Sequence, residues 1–328
     1  HPEPGRPSLP GAAGMAEGFY GPLGKMQGAH RGGTMIRLAV ISGKGGTGKT
    51  MITAALAHIV QGSLVLADCD VDAANLELIL SPTLIRTEPF MGMNTAVIDP
   101  ALCVRCGECG EHCRFDAIEY LASTCQVKTL RCEGCAVCTY VCPASAVTMQ
   151  PRQTGEIKYS ETSRGHLVHA QLVPGAGNSG LLVHAVKKTA LERDGTCDRF
   201  IIDGPPGTGC PLISTISGVD AVLVVTEPSV SGLHDLRRVV AVCRQFRPRI
   251  FVAINRFDLD AFQAGEIEAW CRGENIPLIG KIPFDPAVIH SVREGIPVTQ
   301  EGTSPAAQAI QRLAANIEQE LNRVGNQR

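Results

Sequence analysis

The chain has 328 residues, 44% of them hydrophobic, and a formal net charge of −2, enough to bury a full α/β core and still carry a small second module. That balance supplies no basic face for nucleic acid or an anionic membrane, and no apolar run approaches the roughly 20 residues that span a bilayer. The sequence has 14 cysteines; most fall into tight, regular runs and the rest are scattered, which argues against a secreted disulfide scaffold and for a reducing cytoplasm.

Residues 1–34 are rich in Gly and Pro and hold no secretory-type apolar segment, so they read as a disordered or expression-derived leader ahead of a folded domain that begins at Met35. Ile36 to Ile41 is a β-rich run that enters Gly43-Lys44-Gly45-Gly46-Thr47-Gly48-Lys49-Thr50, and the breaker-free stretch Met51 to Val60 follows. Strand, glycine loop and helix in that order form the context a phosphate-binding P-loop needs. The glycines let backbone N–H groups close around a phosphate at a helix N-terminus. Lys49 is placed to neutralise β- and γ-oxygens, and the Thr50 hydroxyl to ligate Mg2+. Leu64 to Ala67 is a second buried strand that ends at Asp68, with Asp70 and Asp72 next and a helix predicted over Ala73 to Leu80. Any of these aspartates could instead cap that helix, Asp72 most readily.

From about Asn94 to Gln150 the pattern changes to cysteines, short turns and small apolar clusters. Cys103, Cys106, Cys109 and Cys113 form one run; Cys132, Cys135, Cys138 and Cys142 form another, with Pro143 after it. Each reads C-x2-C-x2-C-x3-C, in which three thiolates serve one [4Fe-4S] cluster and the fourth serves its neighbour. The expected sets are Cys103, Cys106, Cys109 with Cys142, and Cys132, Cys135, Cys138 with Cys113. A structural zinc site is the plainer alternative, but zinc uses two separated ligand pairs. Arg114 stands where proline often follows the first run. Cys125, between the runs, reads as a small core residue, with surrogate ligation as the alternative.

Leu167 to Val173 then reads as a strand, Ser179 to Leu191 as a helix, and Phe200 to Asp203 as a buried strand feeding Gly204-Pro205-Pro206-Gly207. Asp203 is positioned to hold Mg2+ through water. Strands are predicted over Ala221 to Thr226, Ile250 to Asn255 and Pro277 to Ile282, and helices over Ser231 to Phe246, Phe262 to Arg272 and Ala306 to Val324. Near-continuous apolar strands alternating with helices indicate a mainly parallel sheet covered on both faces. An α/β domain over 35–93 and 151–328 is thus interrupted at 94–150 by an α+β module of bacterial-ferredoxin type. The stretch Asn255-Arg256-Phe257-Asp258 faintly matches the base-reading N-K-x-D motif, with Arg256 in place of its lysine.

Taken as a set, the loop Gly43 to Thr50, the segment Asp68 to Asp72, the two cysteine runs and Asp203 to Gly207 resemble the MinD/Mrp-superfamily P-loop ATPases that contain an inserted ferredoxin domain. The resemblance implies a deviant Walker A loop of SIMIBI type, in which Lys44 reaches across an ATP-bound homodimer to the partner's nucleotide. It implies a first switch at Asp68 and Asp70, with Asp70 orienting the attacking water, and a second at Gly204, Pro205, Pro206 and Gly207. Asn255 would meet adenine, and the loop at Pro283 would lie on the base side. The implied cofactors are ATP, Mg2+ and two [4Fe-4S] clusters, and the implied activity is slow, partner-stimulated ATP hydrolysis.

Cys69, Cys197, Cys243 and Cys271 read as buried thiols, and Cys210, just beyond the second switch, as the one that could bridge a dimer. His112, His166, His169, His184 and His234 lack metal-ligand spacing. Three functional classes follow: an ATP-gated electron carrier with a redox partner, a cluster-assembly ATPase of Mrp type serving an apo-iron–sulfur protein, and a positioning ATPase. The last would need a membrane-binding tail or a DNA-binding face, and neither is evident.

Overall fold

Apolar residues alternate across the central strands so that each presents one side chain to either face: Ala39 and Ile41 enter one core, Leu38 and Val40 the other. The computed structural model describes residues 35–121, 125–194 and 197–322; the expected leader and Val324, the expected end of the last helix, lie outside them. The strands are β1 (Ile36–Ser42), β2 (Leu64–Asp68), β3 (Thr83–Phe90), β4 (Met93–Ile98), β5 (Ile118–Tyr120), β6 (Cys125–Val127), β7 (Val147–Arg152), β8 (Gly155–Thr162), β9 (Gly165–Leu172), β10 (Arg199–Pro206), β11 (Ala221–Thr226), β12 (Arg249–Asn255) and β13 (Leu278–Ile282). The helices are α1 (Lys49–Ile59), α2 (Leu76–Leu80), α3 (Glu108–Glu111), α4 (Val137–Val141), α5 (Ser179–Asp194), α6 (Cys210–Ile216), α7 (Val230–Phe246), α8 (Ala261–Gly273), α9 (Pro286–Arg293) and α10 (Pro305–Asn322).

One nine-stranded sheet runs β13-β12-β11-β1-β10-β2-β9-β8-β3. It is parallel from β13 to β9 and antiparallel at β8 and β3. Helices α5 to α8 cover one face, and α1, α2 and α10 the other. The architecture is therefore α/β, mostly parallel and covered on both sides, as expected.

Helices α6 and α9 are additions to the sequence expectation, and two further differences concern the sheet edge and the segment after β2. Strands β3 and β8 were not anticipated, because β3 is mostly exposed and carries Arg86, Glu88 and Pro89, residues suited to a blunted sheet edge rather than an apolar strand. The helix expected from Ala73 begins only at Leu76, because the Asp68 carboxylate accepts hydrogen bonds from the amides of Asn75 (3.1 Å) and Leu76 (3.0 Å). Asp68, not Asp72, is the capping aspartate, and Asp72 is exposed.

The chain leaves the antiparallel edge after β3 and returns in β8. Between them, β4 pairs with β7 and β5 with β6 in two small antiparallel sheets. Their core consists of Ala96, Ala117, Cys132 and Val147, with Cys113, Cys138 and Cys142 packed against it. A core this small supplies little hydrophobic stabilisation by itself.

Lys187 on α5 is buried, and its Nζ donates to the carbonyls of Ser214 (2.8 Å), Thr215 (2.7 Å) and Ser217 (2.7 Å), closing the C-terminal end of α6. Burial pulls this amine down to about 8, while the nearby Cys69 thiol opposes that shift. Lys187→Met leaves three inward-facing carbonyls without their donor, and should lower unfolding stability by about 3 kcal/mol, read from denaturant midpoints at neutral pH.

Candidate functional site

Three parallel strands set the site's floor. The register pairs Val40 with Asp203 and Asp203 with Asp68, so two carboxylates stand side by side at the C-terminal ends of β10 and β2, next to the loop after β1. Ligands of open α/β sheets bind at this end. Gly46 and Gly48 adopt φ of +79° and +90°, the left-handed turns that wrap the loop over the start of α1. A side chain on Gly43 would collide with Asp235 at 2.5 Å, and one on Gly48 with the Asn255 amide at 2.3 Å.

Lys49 is buried, and its Nζ lies 2.7 Å from Asp70 Oδ2. The Thr50 hydroxyl donates to Asp203 Oδ2 at 2.7 Å, and Thr53 to the other oxygen at 2.9 Å. Asp68 Oδ1 also accepts from the Asp70 amide at 3.0 Å, which fixes the turn that aims Asp70 at Lys49. Burial first, then the Asp203 charge, pushes Asp68 up to about 8 against the Leu76 and Asp70 amides. Burial also raises Asp203, although Lys49, Thr50 and Thr53 oppose it. Lys49 would be lowered by burial, but Asp203 and Asp70 together outweigh that and raise it.

The residues present suit a magnesium nucleotide. Thr47 Oγ1 is buried without a hydrogen-bond partner, a donor that a phosphate oxygen satisfies. Thr50 and Asp203 offer adjacent hard oxygens of the type Mg2+ prefers.

Lys44 turns back onto its own chain, 2.5 Å from Glu227 and 3.0 Å from Ser231 Oγ. Glu227 also pairs with Arg256 at 3.1 Å, and Arg256 reaches the Gly46 carbonyl. Sequence reasoning gave Glu227 no role, because nothing local marks a residue whose partners lie far away in the chain. The Asn255 amide donates to Thr47 O at 2.8 Å, bracing the P-loop, while its side-chain carbonyl accepts from the neighbouring Arg256 N. Asp258 accepts from the Phe284 amide at 2.7 Å, which joins the Asn255 loop to the segment at Pro283. Asp285 caps α9 through Ala287 N and also accepts from Ala306 N, both at 2.9 Å. Gly204 to Gly207, the segment expected to be the second switch, spans the end of β10 and leads through Thr208 and Gly209 into α6.

The eight run cysteines face two cavities. One is lined by Cys132, Cys135 and Cys138 of the second run with Cys113 of the first, walled by Phe115, Ile118, Val127 and Met149. The other is lined by Cys103, Cys106 and Cys109 of the first run with Cys142 of the second, and Cys125 joins them there. Backbone amides point at the sulfurs: Ala96 N to Cys132 at 3.5 Å, Ala117 N to Cys113 at 3.4 Å and Ala146 N to Cys142 at 3.3 Å. Among the described residues no three Cys, His, Asp or Glu side chains converge to chelate a single ion. Thiols standing around a cavity suit a cage with one thiolate per iron. Cys69, Cys197, Cys243 and Cys271 are buried and Cys210 is exposed.

The two halves meet at the entry to α5. The Asn178 side chain donates to Gly92 O at 3.4 Å. A side chain on Gly177 would lie 3.5 Å from Glu133, between Cys132 and Gly134, and one on Gly180 would lie 3.3 Å from Cys210 Cβ on α6.

Comparison with known proteins agrees with this geometry. The family described as the CobQ/CobB/MinD/ParA nucleotide binding domain matches residues 38–298. The chain is 33% identical over 226 residues to the uncharacterized protein MJ0578 of Methanocaldococcus jannaschii, spanning 68% of this chain and 79% of that one. It is 30% identical over 154 residues to the iron–sulfur cluster carrier protein of Pyrococcus abyssi, spanning 43% of this chain and 52% of the carrier. The septum site-determining protein MinD complexed with Mg-ADP from Pyrococcus horikoshii aligns with a TM-score of 0.54 at 22% identity, across 87% of this chain and 96% of MinD. At that identity the likeness establishes the fold. No helix among the described residues is long and apolar enough to cross a membrane.

Gly48→Ala should leave the fold intact but impose about 1–3 kcal/mol of backbone strain and a clash on the loop, weakening MgATP binding about tenfold or more by calorimetry. A pH effect follows from the paired carboxyls. Held above their ordinary value of 3.8, they keep protons in the folded chain that the unfolded chain releases. The nucleotide-free protein should therefore lose stability as pH rises from about 4 to about 8. Asp203→Asn removes one charge of the pair and should flatten that dependence; urea midpoints across the range that show the wild-type slope would refute the coupling.

Proposed function

Because the chain belongs to the CobQ/CobB/MinD/ParA family of nucleotide-binding domains, we propose that it is a Mg2+-dependent ATPase whose nucleotide cycle acts on two resident [4Fe-4S] clusters. The observation that carries the reading is the crossed cysteine lining, three thiols from one run and the fourth from the other in each cavity. That is the ligand pattern of a two-cluster ferredoxin.

In this reading the P-loop amides and Thr47 bind the phosphates, while Thr50 and Asp203 hold Mg2+. Lys49 serves two partners in turn. With no phosphate present it neutralises Asp70 at 2.7 Å; as it turns to the β- and γ-oxygens it releases the Asp70 carboxylate, which then orients the attacking water. Hydrolysis competence thus depends on the phosphate having taken Lys49. Lys44 must leave Glu227 to reach a partner's nucleotide, which ties homodimer formation to breaking a 2.5 Å ion pair. Asn255 and Pro283 border the adenine side.

When bound, the clusters supply one-electron transfer. Around them the chain presents thiolates, directs the amides of Ala96, Ala117 and Ala146 at three of the sulfurs, and excludes water with Phe115, Ile118, Val127 and Met149. Movement of the second switch has a short mechanical route to the cysteine segment, through α6, the Gly177–Gly180 turn and Glu133. We therefore favour nucleotide-gated electron transfer to a redox partner. Delivery of clusters to an apo-protein is the second reading, favoured by the similarity to the P. abyssi carrier.

Anaerobic reconstitution should give about eight irons and eight sulfides per chain. Reduction potential and electron-transfer rate should differ between ADP and a non-hydrolysable ATP analogue; identical values would end the gating idea. Iron retained on incubation with an apo-ferredoxin supports the carrier of electrons, and iron lost to it in an ATP-dependent manner supports delivery. Lys44→Ala should abolish ATP-dependent dimerisation in sedimentation while nucleotide binding persists.

A further inference from the structure

The two cysteine cavities are not equivalent. The cavity around Cys132 has four thiols in its lining, whereas the one around Cys103 has five, because Cys125 faces into it. Cys125 is 6% exposed and sits on β6 opposite Tyr120 of β5. The Tyr120 hydroxyl donates to Gly107 O and accepts from Gly110 N, so this hairpin is fastened to the loop that carries Cys106 and Cys109. Cys125 and Cys103 line the same wall of thiols around this cavity. A thiol serving only to fill a core would be surrounded by apolar atoms, whereas this one stands among Cys103, Cys106 and Cys109.

We propose that Cys125 is a fifth ligand of the first cavity, interchangeable with Cys103, so that this cluster can exchange one thiolate without leaving the protein. The assignment rests on the resident-cluster reading above. The exchange would involve no net oxidation: with a cluster bound, Cys125 would replace Cys103 as its thiolate donor, and the Cys125 proton would pass to the Cys103 sulfur so released. The second cavity has no spare thiol in its lining. The first cluster is therefore the one whose ligation can respond to a neighbour or a partner, while the second stays fixed.

Iron and sulfide content after anaerobic reconstitution of full-length variants tests this, with MgATP calorimetry as the check that each variant is folded. Cys103→Ala and Cys125→Ala should each keep the wild-type iron, about eight per chain. The Cys103→Ala/Cys125→Ala double variant should lose between one iron and a whole cluster of about four. Cys132→Ala, with no substitute available, should lose iron as a single change. Loss of iron from Cys103→Ala equal to that of the double variant would overturn the exchange, as would a double variant that keeps its full complement. An iron-free wild type would instead overturn the resident-cluster reading itself.

Discussion

Three carboxylates and one ammonium are buried together where β1, β2 and β10 end, and much of the molecule is arranged to hold them there. Asp68, Asp70 and Asp203 face Lys49 with little solvent to screen them. Unpaired charge in such a place is costly, and each of the three carboxyls has at least one donor. Asp68 accepts three backbone amides, Asp203 two threonine hydroxyls, and Asp70 the lysine. Burial raises both Asp68 and Asp203, so an excess of negative charge develops here only as they lose their protons. A divalent cation relieves that excess, and a phosphate competes with Asp70 for the lysine. The site is thus electrostatically incomplete in a direction that favours a magnesium nucleotide.

That incompleteness is also a source of movement. Lys49, Lys44 and Arg256 each have an intramolecular carboxylate partner within 3.1 Å. A ligand that recruits any of these cations must release a carboxylate, and Asp70 and Glu227 sit on segments leading out of β2 and β11. The chain runs from the first of these toward the cysteine segment, and α6, which follows β10, is clamped by Lys187 from α5. The start of α5 in turn touches Gly92 and approaches Glu133. The segment entering α5 thus lies beside both α6 and the cysteine segment.

The cysteine segment is stabilised by different means. Its small core of Ala96, Ala117, Cys132 and Val147 has Cys113, Cys138 and Cys142 packed against it, so groups expected to hold iron and sulfide are part of its interior. Metal sites of this kind couple ligation to folding. Anchoring by an antiparallel strand pair at the sheet edge gives the segment a fixed entrance and exit, which a core of this size would not provide alone.

Much of this was legible in the order of residues. The P-loop is recognisable because glycines must stand where φ is positive and a lysine and threonine must follow at once; the strands carrying Asp68, Asp203 and Asn255 are recognisable because strands buried on both faces are apolar throughout. The repeated spacing of the cysteine runs leads one to expect three thiols of each run with the fourth of the other, and the thiols lining the two cavities group in that way. The sequence did not reveal the edge strands β3 and β8, whose exposed residues lack an apolar signature, nor the choice of Asp68 over Asp72 as the cap. It was silent on Glu227 and Lys187, and it left Cys125 undecided between core and ligand. Local chemistry, in short, is written in short spacings, because a loop or a ligand set is satisfied within a few residues. Which distant groups complete a charge, close a helix end or add a fifth thiol to a cavity depends on strand register and helix packing, and only the assembled chain decides that.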